Sequence, residues 1–239
     1  MHSIFVSDLH LTPDRPTAHS TFFRFLDGPA SGAASLYVLG DLFESWVGDD
    51  DLDDSFNASI ADALRSLTAG GVALYFMHGN RDILVGQEFA RRCGARVIAD
   101  PHVIDLHGTR TLLMHGDTLC TGDVEYQKFR AYAHDAGNQR LFLEQPLAAR
   151  RAQMLEMRAG SERSKQAKTM EIMDVAPAAV EQALRSHGYP RLIHGHTHRP
   201  GRHVHRVDGH VCERWVLTDW YGRAGYLRCD QDGCRARDL

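Results

Sequence analysis

The sequence predicts an α+β fold: strand–helix–strand units build one sheet, later antiparallel strands belong to a second, and a helical insertion interrupts the series. Three observations predict it. Short apolar runs recur along the chain, and each ends in Asp, Asn or His. These polar ends follow one another at 33 residues (Asp8 to Asp41), 39 (to Asn80) and 35 (to His115), about one strand–helix–strand unit each time. The next interval, His115 to His196, is 81 residues and leaves room for inserted helices.

The elements follow in order. Ile4-Phe5-Val6 is the first strand, and Thr17 is the expected cap of a helix carrying Phe22, Phe23, Phe25 and Leu26. Leu36 to Leu39 is the second strand. Asp54 or Ser55 should cap a helix with Ile60, Leu64 and Leu67, closed by Gly70-Gly71. Ala73 to Met77 is the third strand, followed by a short helix over 86–92 that ends at Gly94. Leu112-Leu113-Met114 and Leu192-Ile193 are further strands. Between them, Asp123 should cap a helix with Tyr126, Phe129 and Tyr132, a second helical run covers 141–158, and Pro177 opens a helix stopped by Gly188. After Pro200, Val211 and Trp215 to Thr218 read as antiparallel strands of the second sheet.

The chain's 239 residues suit a single domain over 1–239 with a helical cap or lid at about 122–170. A hydrophobic content of 43%, 24% charged residues and a net charge of −4 describe a soluble enzyme with no general affinity for nucleic acid. Met1-His2-Ser3 runs straight into a strand, so no signal peptide is expected, and nothing approaches the roughly 20 apolar residues of a membrane span. The five cysteines lack a CxxC pair and read as reduced thiols in a cytoplasmic protein. Residues 125–168 hold nine Lys/Arg against five Asp/Glu, a local +4, which leaves −8 on the body. A basic helical segment on an acidic body suits a lid over an anionic substrate, a surface facing anionic lipid, or simply a solvated hairpin. The acidic run Asp49 to Asp54 lacks the Gly and Glu of a calcium loop and reads as solvated.

Five strand ends carry the chemistry: Asp8-Leu9-His10, Gly40-Asp41, Gly79-Asn80-Arg81-Asp82, His115-Gly116-Asp117 and Gly195-His196-Thr197-His198. Mixed oxygen and nitrogen donors suit Mn, Fe, Co or Zn better than a soft metal. Two divalent ions about 3.5–4 Å apart need a ligand that can touch both. Asp41, central among the segments, is the candidate bridge. Asp8 and His10, like His196 and His198, alternate so that both side chains of a pair can enter one crevice.

These motifs, in this order, resemble the calcineurin-like metallophosphoesterase superfamily. The resemblance implies a four-layer β-sandwich flanked by helices and a dinuclear centre. Asp8, His10, Asp41 and His198 would hold the first metal; Asp41, Asn80, His115 and His196 would hold the second. It also implies attack by metal-bound hydroxide on a phosphorus ester or anhydride, with Asp41, Asn80, Arg81 and His115 as catalytic residues. Arg81 stands where many relatives have His. Arg is no general acid near neutral pH but forks well onto phosphate, which favours pyrophosphate cleavage.

A closer resemblance covers almost the full length. Residues 7–11, 40–46, 78–82, 115–117 and 194–200, with Ile172-Met173-Asp174-Val175 and the insertion, are similar to the UDP-2,3-diacylglucosamine hydrolases of lipid A biosynthesis. That implies a diphosphatase that cleaves UDP-2,3-diacylglucosamine at the α-phosphorus to UMP and 2,3-diacylglucosamine 1-phosphate. It further implies two divalent ions, Mn2+, and peripheral association with the anionic cytoplasmic face of the inner membrane, with no obligate protein partner. Phe129, Tyr132, Leu141, Phe142, Leu143, Leu147, Met154 and Leu155 would accept acyl chains. Substrate contacts would fall on Asn80, Arg81, Asp123, Ser161, Lys165, Lys168 and His196. Asp123 has the competing reading of a helix cap, and Ser161 and Lys168 of solvated residues; Lys165 departs from the small polar residue of that family. Three other readings compete: a general nucleotide phosphodiesterase, a metal-free binding scaffold and a DNA-repair nuclease.

Overall fold

In the computed structural model of this protein, the described residues are 1–166, 169 and 172–239, with the side chains of Glu162, Ser164, Lys165 and Gln166 outside the description. The Lys165 side chain and Lys168, two expected substrate contacts, therefore lie outside the described residues.

β1 (Ser3–Val6) is buried along its whole length. α1 (Pro16–Phe25) is opened by Pro16, not capped by Thr17 as expected. Pro has no N–H to satisfy there and its φ is already helical. β2 (Ser35–Leu39) precedes α2 (Ser55–Ala69), where the Asp54 carboxylate accepts the Phe56 N–H at 3.0 Å. β3 (Ala73–Met77) leads to α3 (Gln87–Cys93), which closes on Gly94 in the left-handed region (φ 70°). β4 (Ala95–Ile98) completes a parallel run β1-β2-β3-β4.

β5 (His102–Leu106) and β6 (Thr109–Leu113) form an antiparallel pair. Four helices follow: α4 (Val124–His134), α5 (Ala136–Leu143), α6 (Leu147–Gln166) and α7 (Pro177–Ser186). The helical run expected over 141–158 is broken between α5 and α6 at Pro146, whose ring cannot continue a helix. The chain then enters β7 (Arg191–His194), β8 (Gly201–Val207), β9 (His210–Val216), β10 (Gly225–Asp230) and β11 (Gly233–Asp238). β8 and β9 are antiparallel members of the second sheet, order β5-β6-β7-β9-β8, although β9 lies parallel to β7. β10 and β11 cross back to the first sheet, order β11-β10-β1-β2-β3-β4.

Three apolar clusters make four layers. Phe22, Ile60, Leu64 and Phe89 of α1 to α3 pack on Ile4, Val38 and Phe76 of the first sheet. Phe5, Leu39 and Met77 meet Leu113, Ile193 and Leu217 between the sheets. Val180 and Leu184 of α7 cover Leu112 and Leu192 on the far side. Strands covered on both faces need no polar alternation, which is why β1 reads as one apolar run. The expectation of five reduced cysteines is corrected: Cys229 and Cys234 stand opposite each other in the β10–β11 register and form a disulfide, while Cys93, Cys120 and Cys212 are free and buried.

The acidic run is also not a solvated loop. Asp49 accepts the Trp46 indole N–H (3.0 Å) and the backbone N–H groups of Gly86 (2.8 Å) and Phe89 (2.9 Å). Asp50 is ion-paired to Arg150 of α6, which is only 2% exposed, and Asp51 to Arg151. Arg150 also donates to the backbone oxygens of Val47 (2.5 Å) and Gln145 (2.9 Å). No residue of α4 or α5 is buried, so polar contacts do much of the holding. Arg150→Ala strands two carbonyl oxygens and should weaken the docking of α6 by about 2–4 kcal/mol. Limited proteolysis should then cut residues 122–170 faster while the melting of the sheets shifts far less; parental protease resistance would remove Arg150 from this role.

Candidate active site

The donors that the sequence singles out converge. Asp8 and His10 follow β1, Asp41 follows β2, Asn80 follows β3, His115 follows β6, and His196 and His198 follow β7. Five of the seven hold left-handed backbone: Asp8 (φ 56°), His10 (49°), Asp41 (55°), His196 (68°) and His198 (54°). Such a conformation costs a non-glycine residue about 1 kcal/mol or more, so it persists only where the surroundings enforce it.

The enforcement is visible. His10 N–H donates to Asp41 O (2.9 Å), Asp8 N–H to Gly40 O (3.1 Å) and Gly195 N–H to His115 O (2.8 Å). The fully buried Asp82 carboxylate accepts N–H groups from Gly79 (2.8 Å), Leu42 (2.8 Å) and Asp41 (3.2 Å), binding the second and third donor loops together. Burial and then repulsion from Asp41 push Asp82 up to about 6, against those N–H bonds. Gly79 is needed for the approach itself: a Cβ there would stand 2.1 Å from Asp41 Oδ1.

The distances define two half-sites around Asp41. Its Oδ2 lies 3.7 Å from His10 Nε2, and its Oδ1 lies 3.8 Å from His115 Nε2. On the first side, Asp8 Oδ1 is 3.4 Å from His198 Nε2, and the His10 and His198 Nε2 atoms are 3.3 Å apart. On the second, Asn80 Oδ1 is 3.0 Å from His115 Nε2 and 2.9 Å from His196 Nδ1. Each oxygen of Asp41 thus faces a different half, the geometry of a bridging carboxylate.

These residues fit divalent cations. Asp8 Oδ1 is buried with no hydrogen-bond partner, and Asp8, His10 and His198, like Asp8, Asp41 and His115, bring donor atoms within 4.8 Å of one another. Burial opposes charge on His115, yet Asp41, Asp117 and Asp8 outweigh it and push the imidazole up to about 9. Burial holds His10 and His196 near 4, as neutral imidazoles. The carboxylates that hold a proton on His115 make a negative well, and His10 and His196 stand beside it as neutral imidazoles; a cation with nitrogen and oxygen ligands suits that combination.

A cavity of about 770 Å³ opens from this cluster. Its lining combines His10, Asp41, Asn80, Arg81, His196 and His198 with the apolar Phe129, Tyr132, Leu141, Phe142 and Met154. Ser161 and Asp123 also line it, and Asp123 is at the same time the cap of α4, accepting Tyr126 N–H at 3.1 Å. Leu143, Leu147 and Leu155 do not line it, and Leu155 is 71% exposed. The sequence reading assigned no role to Asp117, which accepts the Tyr126 hydroxyl (2.7 Å) and Arg130 Nε (2.7 Å) and so pins α4 beside His115. Nor did it use Asp82 or Glu44; only their place inside the quoted motifs signalled them.

Residues 1–200 match the family model of the calcineurin-like phosphoesterases. A UDP-2,3-diacylglucosamine hydrolase of Aromatoleum aromaticum is 53% identical over 233 residues, covering 98% of this chain and 95% of its own. One of Aeromonas salmonicida is 50% identical over 229 residues (96% and 90%), and one of Xanthomonas axonopodis pv. citri is 47% identical over 246 (100% and 99%).

Asp82→Asn replaces an acceptor of three N–H groups by an amide whose own N–H₂ must face one of them. It should cost about 2–3 kcal/mol in urea unfolding and lower divalent-metal uptake. Unchanged stability and unchanged metal content would refute the holding role of Asp82.

Proposed function

The chain belongs to the calcineurin-like phosphoesterase family, and from that premise we propose that it hydrolyses the pyrophosphate bond of UDP-2,3-diacylglucosamine, giving UMP and 2,3-diacylglucosamine 1-phosphate in lipid A biosynthesis. The observation that carries the reading is the joining of a charged donor cluster to an apolar cavity of about 770 Å³ walled by α4, α5 and α6. A substrate with a charged pyrophosphate at one end and two acyl chains at the other matches both. The names of full-length relatives 47–53% identical support the same substrate.

Asp8, His10, Asp41 and His198 would hold one divalent ion, and Asp41, Asn80, His115 and His196 the other, with Mn2+ as the resident metal. Bound ions supply Lewis acidity, which acidifies water and offsets phosphoryl charge. The chain does the rest. Arg81, beside Asn80 in the cavity lining, would present a fork of donors to phosphate oxygens and cannot act as an acid. Water attacks the α-phosphorus, the bond to the bridging oxygen breaks, and the sugar phosphate leaves as an anion that needs little protonation. Asp123, Ser161, Lys165, Lys168 and His196 would complete the contacts to the polar part, and Phe129, Tyr132, Leu141, Phe142 and Met154 would receive the chains.

A substrate with two acyl chains resides in a membrane, so the enzyme would work at the cytoplasmic face of the inner membrane. The exposed Tyr132, Leu141 and Leu155 of the helical segment, a lid in this reading, suit that surface. No helix among the described residues is long and apolar enough to cross a membrane.

Hydrolysis in 18O-labelled water with Mn2+ tests the proposal, with UDP-2,3-diacylglucosamine, UDP-N-acetylglucosamine and a bis-aryl phosphodiester side by side. Fast UMP release from the diacylated substrate alone, with the label on UMP, is expected. Equal rates on all three would replace the proposal by a general phosphodiesterase. Asp41→Ala should keep the fold by circular dichroism and lose at least about 10²–10³-fold in kcat, the scale of removing one charge-stabilising group. Parental turnover would overturn the bridging assignment.

A further inference from the structure

Glu44 sits within the run 40–46 that holds Asp41, and the chemistry above gives it no part. The backbone brings it to the site. His10 N–H donates to Asp41 O (2.9 Å), Leu11 N–H to Leu42 O (2.9 Å) and Glu44 N–H to Leu11 O (3.0 Å), so the stretches after β1 and β2 are zipped together. The Glu44 side chain lands beside His10 with Oε2 3.1 Å from Nδ1. That same oxygen accepts the Tyr221 hydroxyl at 2.7 Å. The other, Oε1, is ion-paired to Arg158 of α6, whose guanidinium also donates to the Glu44 carbonyl oxygen. Glu44 is 17% and Arg158 16% exposed, so the pair is largely shielded from solvent.

The rest of the His10 surroundings agree. The Tyr221 ring stacks on His10 with centroids 4.8 Å apart, and the Arg15 guanidinium lies 4.4 Å from the Tyr221 centroid. Arg15 also donates to His10 O at 3.2 Å. Nδ1 has no partner in hydrogen-bond geometry, so the contact is one of charge: a carboxylate 3.1 Å away favours the ring proton on that nitrogen. The lone pair is left on Nε2, which faces Asp41 Oδ2 at 3.7 Å and His198 Nε2 at 3.3 Å.

We propose that Glu44 is a positioning residue with two duties: one carboxylate oxygen abuts His10 and by its charge favours the proton on Nδ1, and the other docks α6 through Arg158. The metal centre and the wall of the acyl cavity then depend on one side chain. The inference rests on the reading of His10 as a metal ligand. Carboxylates behind ligand histidines typically set metal affinity by about 10–100-fold.

Calorimetric titration of the metal-stripped full chain with Mn2+, together with limited chymotrypsin digestion, tests this in the parent, Glu44→Ala, Glu44→Gln and Arg158→Met. Glu44→Ala should weaken one of two Mn2+ sites by about 10–100-fold and leave the other unchanged. It should also speed cleavage within 122–170 as much as Arg158→Met does. Arg158→Met should speed cleavage while Mn2+ binding stays parental, which separates the two duties. Glu44→Gln, nearly equal in size, should show the same two losses with a smaller change in affinity, and circular dichroism should match the parent. Parental Mn2+ affinity in both Glu44 variants, or parental cleavage rates, would overturn the proposal. A parent that takes up no Mn2+ would refute the metal-ligand reading along with it. Two sites in the parent and unaltered variants would refute the role of Glu44 alone.

Discussion

Four carboxylates, Asp8, Asp41, Asp82 and Asp117, are each at most 2% exposed, and the rest of the structure depends on how their charge is accommodated. An uncompensated buried carboxylate costs several kcal/mol, so each must be met by donors or positive charge. Asp8 accepts from Ser7 Oγ (2.5 Å) and His196 N–H (2.8 Å), and Asp41 accepts Arg81 N–H (2.8 Å). Asp82 uses backbone N–H groups of two loops, and Asp117 uses Tyr126 and Arg130. The compensating groups come from both sheets and from α4. Displacing either sheet or α4 would leave a buried charge unmet, a constraint that the apolar clusters do not impose.

The same logic explains the basic surplus of the helical segment. Of its nine Lys and Arg residues, Arg130, Arg150, Arg151 and Arg158 pair with Asp117, Asp50, Asp51 and Glu44 of the body. Lys128 and Arg140 pair with Glu125 and Glu144 inside the segment. Much of the charge that suggests lipid or phosphate from sequence alone is therefore directed inward. A polar interface also has a steric consequence. Helices that packed their apolar side chains on the body would fill the space beneath them; helices held by arginines leave Phe129, Phe142 and Met154 to line a cavity.

The strands and the Asp, Asn and His residues that converge at their ends were legible because each has a local signature, an apolar run and then a polar end at a spacing set by one crossover unit; the layering came from the family resemblance. Asp54 and Asp123 were legible as caps for the same reason. Residues whose meaning comes from partners distant in the chain were not. Asp50 and Arg150 are 100 positions apart and Glu44 and Arg158 are 114, so nothing near either member of a pair marks it. The disulfide was hidden likewise, because Cys229 and Cys234 face each other only once the β10–β11 register is known. Thr17 failed as a cap because Pro16, one residue earlier, already starts the helix.

Glu44 and Asp117 together give the site a symmetry of purpose. Glu44 abuts His10 in one half-site, and Asp117 stands two residues after His115 in the other. Each grips an arginine, Arg158 of α6 and Arg130 of α4 respectively. The helical segment is thus tied at both ends to carboxylates that neighbour the donor cluster, one on each side of Asp41. Tyr126 adds a direct contact, its ring 5.7 Å from that of His196 while its hydroxyl serves Asp117. In such an arrangement the helices cannot shift without changing the charge around the donors, and the donors cannot be rearranged without loosening the helices. The wall of the apolar cavity and the polar centre are one electrostatic unit, which is the property a site needs if a long substrate is to be held at its apolar end and cleaved at its charged one.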